Sequence, residues 1–188
     1  MNKNDTNWTE TNFPERLFVL GAGPGLELLW PHREEMKNWG YWVIQRADIV
    51  KPFLEFINPL YSICYWNQAQ KINKGYGIQL LKGCGGFGDS SISNFMTCFS
   101  QGGGKELFLF GYDGSNEGYW RNQLFSYKGV SVTGDGWGGE YTKRRHDKDL
   151  KDFNKNYNNE LLLKMFHLGP TNNIHLCQIS IEELKEKL

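Results

Sequence analysis

Four short stretches of this chain carry the residue types that ligand chemistry needs, and three of them follow apolar runs. The first is Gly21-Ala22-Gly23-Pro24-Gly25-Leu26, directly after Leu17-Phe18-Val19-Leu20. Glycines at such a place let the backbone turn tightly and come close to an anionic ligand. The helix that follows offers unpaired N–H groups and the positive end of its dipole. A dinucleotide fingerprint needs glycine at position 26, and Leu26 stands there instead, so the NAD-type motif is excluded. Gly21, Ala22 and Gly23 are expected to contact a ligand; the same glycines also suit a plain strand-to-helix turn.

The second stretch, Gly83-Cys84-Gly85-Gly86-Phe87-Gly88-Asp89-Ser90, has the outline of a phosphate-binding P-loop, but Asp89 stands where the lysine belongs. A negative charge there excludes a Walker-type triphosphatase. What survives is a helix start with Ser90 and Ser91, suited either to a phosphate or carboxylate or simply to capping. The third, Gly111-Tyr112-Asp113-Gly114, follows the most apolar run in the chain, and Asp113 there can accept hydrogen bonds from a ribose or a base, or serve as a turn residue. The fourth is Lys143-Arg144-Arg145-His146-Asp147. His146 has the chemistry of a general base, and Arg144 and Arg145 that of phosphate ligands, unless the run is a solvated loop.

The elements that would position these residues alternate in type. Strands are expected at Leu17–Leu20, Tyr41–Ile44, Tyr61–Tyr65, Gly77–Leu81, Leu107–Phe110 and Ile174–Cys177, from short apolar runs bounded by turn residues. Helices are expected at Leu26–Asn38 with a break at Pro31, at Ser91–Ser100 before a triple glycine, and at Asp147–Phe166. Ser180-Ile181-Glu182-Glu183 is a capping box that opens a last helix. Strands alternating with helices predict an α/β fold, Rossmann-like, with a mainly parallel sheet and helices on both faces. Residues 1–15 read as a flexible arm, residues 16–188 as one domain, and 114–141 as a long loop in which Trp120 and Trp137 can face solvent, an acceptor or a second subunit.

Bulk properties narrow the function. The chain has 188 residues, with 21 basic and 21 acidic side chains, and the neutral balance gives no footing for nucleic acid or an anionic membrane. No apolar run reaches the length of a membrane span, and the polar start lacks a secretion signal, so a cytoplasmic location is expected. The four cysteines lack metal-ligand spacing, and three of them read as reduced, buried side chains. Aromatic residues make up 15% of the chain, enough to expect a core built on rings.

Taken in order, these pieces resemble a known family. Leu17–Leu26 resembles the opening strand and G-x-G-P-S-L loop of the bacterial family 42 sialyltransferases, an opening shared with the archaeal hydroxymethylpterin pyrophosphokinases. Tyr65-Trp66-Asn67 resembles their aromatic–Asn pair after the third strand, and Ser90–Ser93 followed by Lys105–Asp113 resembles their S-G…G-x-K-E-I-Y-L-x-G-x-D segment. His146 falls where those enzymes carry a histidine ahead of a helix. The resemblance implies a metal-independent glycosyltransferase that uses a nucleotide-sugar donor, with a cytidine nucleotide on Gly21, Ala22, Gly23, Asn67, Ser90, Ser91, Gly111 and Asp113 and a glycan-type acceptor. His146 would deprotonate the acceptor and Tyr119 would assist the departing phosphate, with no metal or other cofactor. Gly25 stands where the family often has serine, and Asp48 is the nearest match to its asparagine after the second strand. The pterin relatives imply an alternative, an ATP- and magnesium-dependent pyrophosphokinase-like enzyme with Asp113 and Asp48 or Asp89 on the metal; a binding module without catalysis is the third reading.

Overall fold

The computed structural model describes residues 5–64, 67–84, 91–113, 120, 125–127, 130–132, 148, 151, 155 and 163–188, with the backbone alone at 67–69, 125–127 and 130–132. Its centre is a six-stranded parallel sheet. The strands are β2 (Arg16–Leu20), β3 (Trp42–Ile44), β4 (Pro59–Ser62), β6 (Glu106–Phe110), β9 (Lys164–Leu168) and β10 (Cys177–Ile179), in the order β10-β9-β6-β2-β3-β4. The chain builds outward from β2 to β4 on one side, then returns to build from β6 to β10 on the other. The sheet's order therefore reverses between β2 and β6.

The register is set by a row of rings. Phe166, Phe108, Phe18 and Trp42 are successive Cα partners across β9, β6, β2 and β3. Their centroids lie 4.9 Å, 5.2 Å and 4.9 Å apart in that order. A one-residue slip of any strand would take its ring to the opposite face, so this row fixes the pairing. Among the described residues, Phe13, Phe18, Trp42, Phe53, Phe95, Phe99, Phe108, Phe110 and Trp120 are buried, so rings build much of the core, while Tyr41 and Tyr76 are exposed.

Alternate side chains of the strands fall into two buried clusters. Phe18, Leu20, Trp42, Ile44, Phe108 and Phe110 pack with Leu26 and Leu29 of α1 (Leu26–Leu29), Ile49 and Val50 of α2 (Ala47–Val50), and Leu184 of α5 (Ile181–Lys187). Leu17, Val19, Val43, Leu107, Leu109 and Met165 pack with Ile92, Phe95, Met96 and Phe99 of α4 (Ser91–Gln101). The remaining helix is α3 (Asn67–Gly75). Two small sheets complete the described residues: β1 (Thr6–Asn7) parallel to β5 (Leu81–Lys82), and β7 (Phe125–Tyr127) antiparallel to β8 (Val130–Val132).

Several elements differ from the sequence reading. The expected long first helix is α1 followed by single turns at Trp30–His32 and Met36–Asn38, and Pro31 sits at the expected break. The helix expected to run to Phe166 stops earlier, because Lys164–Leu168 pairs with β6 and β10. Residues 148, 151 and 155 are helical. The last strand begins at Cys177 rather than Ile174, and the fourth shrinks to Leu81–Lys82. The capping box is present: Ser180 Oγ accepts from the Glu183 N–H at 3.1 Å, and the Ser180 N–H donates to Glu183 Oε2 at 2.7 Å. Within the expected arm, Asp5 pairs with Lys74 and Lys82, and Phe13 packs edge-on against Phe95 and Phe99. None of the four cysteines is in a disulfide; Cys64, Cys84 and Cys98 are buried, and Cys177 is exposed.

Candidate functional site

Parallel in-register pairing brings the strand ends to one level. Leu20 pairs with Phe110 and Ile44, and Ile44 with Ser62. The turns after β2, β3, β4, β6 and β9 therefore leave the same edge of the sheet. In open parallel sheets this carboxyl edge, at the point where strand order reverses, is where ligands bind. Here the turns flanking that point are Gly21–Gly25 and Gly111–Asp113.

These two turns are joined through the backbone. The Gly21 N–H donates to the Phe110 carbonyl at 2.8 Å, and the Gly23 N–H to the Gly111 carbonyl at 2.8 Å. Gly111 takes a φ of +65°, which favours glycine. A Cβ on Gly21 would collide with the Gly111 carbonyl oxygen, and one on Gly23 or Gly25 with the carboxylate of Asp113. These glycines are thus required by the close approach of one turn to the other.

Asp113 is the centre of the arrangement. Its Oδ2 accepts the Gly25 N–H at 2.9 Å. Its own carboxylate therefore stands at the start of α1, where the sequence analysis placed an external anion. Its Oδ1 lies 3.3 Å from Nε2 of His167, and its side chain keeps 10% exposure. The Asp113 carbonyl accepts the Asn172 N–H at 3.0 Å, which docks the turn after β9 on the turn after β6.

His167 was missed by sequence reasoning. It is fully buried next to the carboxyl end of β9, and its neighbours in register are Leu109 and Gln178. Tyr112 donates its N–H to Nε2 at 3.3 Å, and Nδ1 lies 3.1 Å from the Gly169 carbonyl. Nδ1 is thus placed to donate to a carbonyl, and Nε2 to accept from an amide. The signal available in the sequence was a histidine inside the apolar run Met165-Phe166-His167-Leu168, a place where a polar group needs partners.

The turn after β3 carries a second polar group of residues. Arg46 and Asp48 form a buried ion pair, with Nε 2.8 Å from Oδ1 and the second guanidinium nitrogen on Oδ2. Asn73 of α3, also buried, accepts the Ala47 N–H at 2.8 Å and donates to the Gln45 carbonyl at 3.0 Å and to Ser62 Oγ. It thereby ties the turn after β3 to the end of β4. Asp48, the nearest match to the family asparagine and an alternative metal ligand, is engaged with Arg46.

Trp120 of the expected loop is buried. Its N–H donates to the Ala22 carbonyl at 2.8 Å, its indole N–H donates to Glu27 Oε2 at 2.7 Å, and its ring packs on Trp30 and Phe53. This corrects the expectation that Trp120 faces solvent, an acceptor or another subunit: its ring fills the core beside α1. Of the expected site residues, Gly21, Ala22, Gly23, Gly111 and Asp113 come together. Ser91 opens α4 and is buried, and Asn67 opens α3. Ser90, Tyr119, Arg144, Arg145 and His146 lie outside the described residues, as do Asp89 and Trp137. Among the described residues no group of three or more His, Cys, Asp or Glu is arranged to hold a metal ion, and no helix is long and apolar enough to cross a membrane. Comparison of the chain with protein-family models, curated proteins and solved structures gave no match.

Proposed function

We propose that this protein binds a nucleotide or nucleotide-sugar at the carboxyl edge of its sheet and acts as a metal-independent, glycosyltransferase-like enzyme. The observation that carries the reading is the position of Asp113. At the reversal of strand order, a carboxylate is held by the Gly25 N–H, and its side chain keeps 10% exposure. An ionised carboxylate accepts about four hydrogen bonds, so Asp113 retains capacity for a ribose hydroxyl. Counting β2 as the first strand of the main sheet, the strand order is the 3-2-1-4-5-6 of doubly wound Rossmann-like folds, which supports helices on both faces and a site at this point.

In this reading the ligand is a cytidine nucleotide lying beside Gly21, Ala22, Gly23, Gly111 and Asp113, with Asn67, Ser90 and Ser91 from the neighbouring turns. His146 as base, Tyr119 at the departing phosphate and Arg144 and Arg145 on phosphate rest on the sequence resemblance, as do the glycan-type acceptor and the cytoplasmic location. The magnesium-dependent alternative would place Asp113 with Asp48 or Asp89 on the metal, and of these Asp48 is engaged with Arg46. Calorimetric titration of CMP, UMP and GMP, with and without EDTA, tests the reading. CMP should bind with an affinity indifferent to EDTA; binding that requires magnesium would favour the pyrophosphokinase-like reading instead.

A further inference from the structure

The turn after β2 has little left to offer an anion. Of the four N–H groups in Gly21–Gly25, three are engaged: Gly21 and Gly23 donate to the carbonyls of Phe110 and Gly111, and Gly25 donates to Asp113 Oδ2. The next three, at the start of α1, turn back on the same loop. Leu26, Glu27 and Leu28 donate to the carbonyls of Gly23, Pro24 and Gly25 at 3.3 Å, 3.0 Å and 3.1 Å. A phosphate-binding turn keeps such groups unpaired and directed at its ligand. Here a carboxylate of the chain itself stands in that place, and Glu27 adds a second one in the first turn of α1. A phosphate at this turn would have to displace Asp113 from Gly25 and then lie beside its charge. Among the described residues, the Ala22 N–H is the one donor of the turn without an acceptor.

We infer that this turn excludes the phosphate of the bound nucleotide and reads a hydroxyl of its sugar, with Asp113 as the residue that sets the choice. Near neutral pH a phosphate carries charge and acts almost wholly as an acceptor. A hydroxyl is neutral, and it donates as well as accepts. The groups present match the hydroxyl: Asp113 is an acceptor, and Ala22, between Gly21 and Gly23, supplies a single N–H. The exclusion is built into the fold, because Gly21 and Gly23 are bonded to the backbone at the end of β6 and cannot release their donors without parting the two turns. The ligand therefore enters this turn by its uncharged sugar face, with its phosphate held away from α1. This inference rests on the proposed nucleotide site, and the test separates the two.

The probes are inorganic phosphate, cytidine, dideoxycytidine (which lacks both ribose hydroxyls of the diol) and CMP. In amide NMR of wild type, millimolar inorganic phosphate should leave the Gly21, Gly23 and Gly25 resonances where they are, and cytidine should move that of Ala22. By calorimetry, cytidine should bind at least about tenfold more tightly than dideoxycytidine, the scale of one hydrogen bond to a charged acceptor. In folded Asp113→Asn that preference should shrink, while the ratio of CMP affinity to cytidine affinity stays as in wild type, because the phosphate lies away from the altered charge. A phosphate seated at the turn predicts the reverse: neutralising Asp113 would favour CMP over cytidine by roughly a further tenfold. That result would overturn the inference, as would equal binding of the two nucleosides by wild type or a Gly25 amide that follows inorganic phosphate. If Asp113→Asn does not fold, the wild-type arms decide. If neither cytidine nor CMP binds, the nucleotide site fails and the hydroxyl reading with it, and the phosphate titration alone decides whether the turn excludes anions.

Discussion

The carboxylate of Asp113 accepts the backbone N–H of Gly25 at 2.9 Å, across 88 positions of sequence, and it occupies the space that any side chain at position 25 would need. The relationship joins the first turn of the sheet to the fourth. It makes one residue both the cap of α1 and the acceptor proposed for a ligand.

Gly25→Ala should therefore destabilise the protein by about 1–3 kcal/mol, the usual cost of overpacking. The loss should be smaller in an Asp113→Ala background, because the clash is with that side chain. Gly21→Ala should cost more and should not be relieved by Asp113→Ala, since its collision is with the Gly111 carbonyl of the backbone. Thermal unfolding of the single and double variants measures both the costs and their coupling.

Trp120→Phe keeps a ring in the core but removes the donor to Glu27. The expected loss is about 1.5–3 kcal/mol, because a hydrogen bond to a charged group disappears. Trp120→Ala should cost about 3–5 kcal/mol, since it also empties the space against Trp30 and Phe53. Chemical denaturation of the two variants would distinguish the polar share from the packing share. Equal losses would mean that the hydrogen bond to Glu27 carries the whole effect and the ring's packing none of it.

Asn73→Asp should be more damaging than its size suggests. The amide donates to Gln45 and Ser62 while accepting from Ala47. An ionised carboxylate cannot donate, so it would set an acceptor against the Gln45 carbonyl in a buried site. A loss of at least about 2 kcal/mol is expected, against a smaller one for Asn73→Ser. Urea unfolding at neutral pH reads the difference.

The N-terminal residues carry a prediction in acid. Burial on its own would raise the Asp5 carboxyl, but hydrogen bonds and charge from Lys74 and Lys82 outweigh it and hold the group below its ordinary value of 3.8. A carboxyl lowered on folding adds stability above its unfolded value, and that stability is lost as pH falls through the lower folded value. The difference in melting temperature between wild type and Asp5→Asn should be present at neutral pH and vanish on acidification below that range. A constant difference would mean that the ion pairs add nothing beyond shape.

Much of this architecture was legible in the chain. Leu17–Leu20 and Leu107–Phe110 read as buried parallel strands because both of their faces are covered, which leaves no polar alternation. Ser180 and Glu183 announce their helix by a local exchange of hydrogen bonds. Lys164–Leu168 was misread because Leu161 and Met165 fit a helical spacing, and a short apolar run does not reveal its period. The site was legible only in part. The glycines and Asp113 stand out by type, but their closeness depends on the register of β2 with β6. His167 with Asp113, Trp120 with Glu27 and Asn73 with Ala47 are joined only by the fold, and no spacing in the sequence encodes those pairs.

The central claim is that Asp113 receives a nucleotide. Calorimetric titration of CMP into wild type and Asp113→Asn, with folding of each checked by its melting transition, tests it most directly. The variant keeps the shape of the side chain and can still accept from Gly25, but it loses charge and half its acceptor capacity. Wild type should bind CMP, and the folded variant should bind it at least about tenfold more weakly, the worth of a hydrogen bond to a charged group. Equal binding by the two, or no binding of CMP by folded wild type at millimolar concentration, would contradict the account.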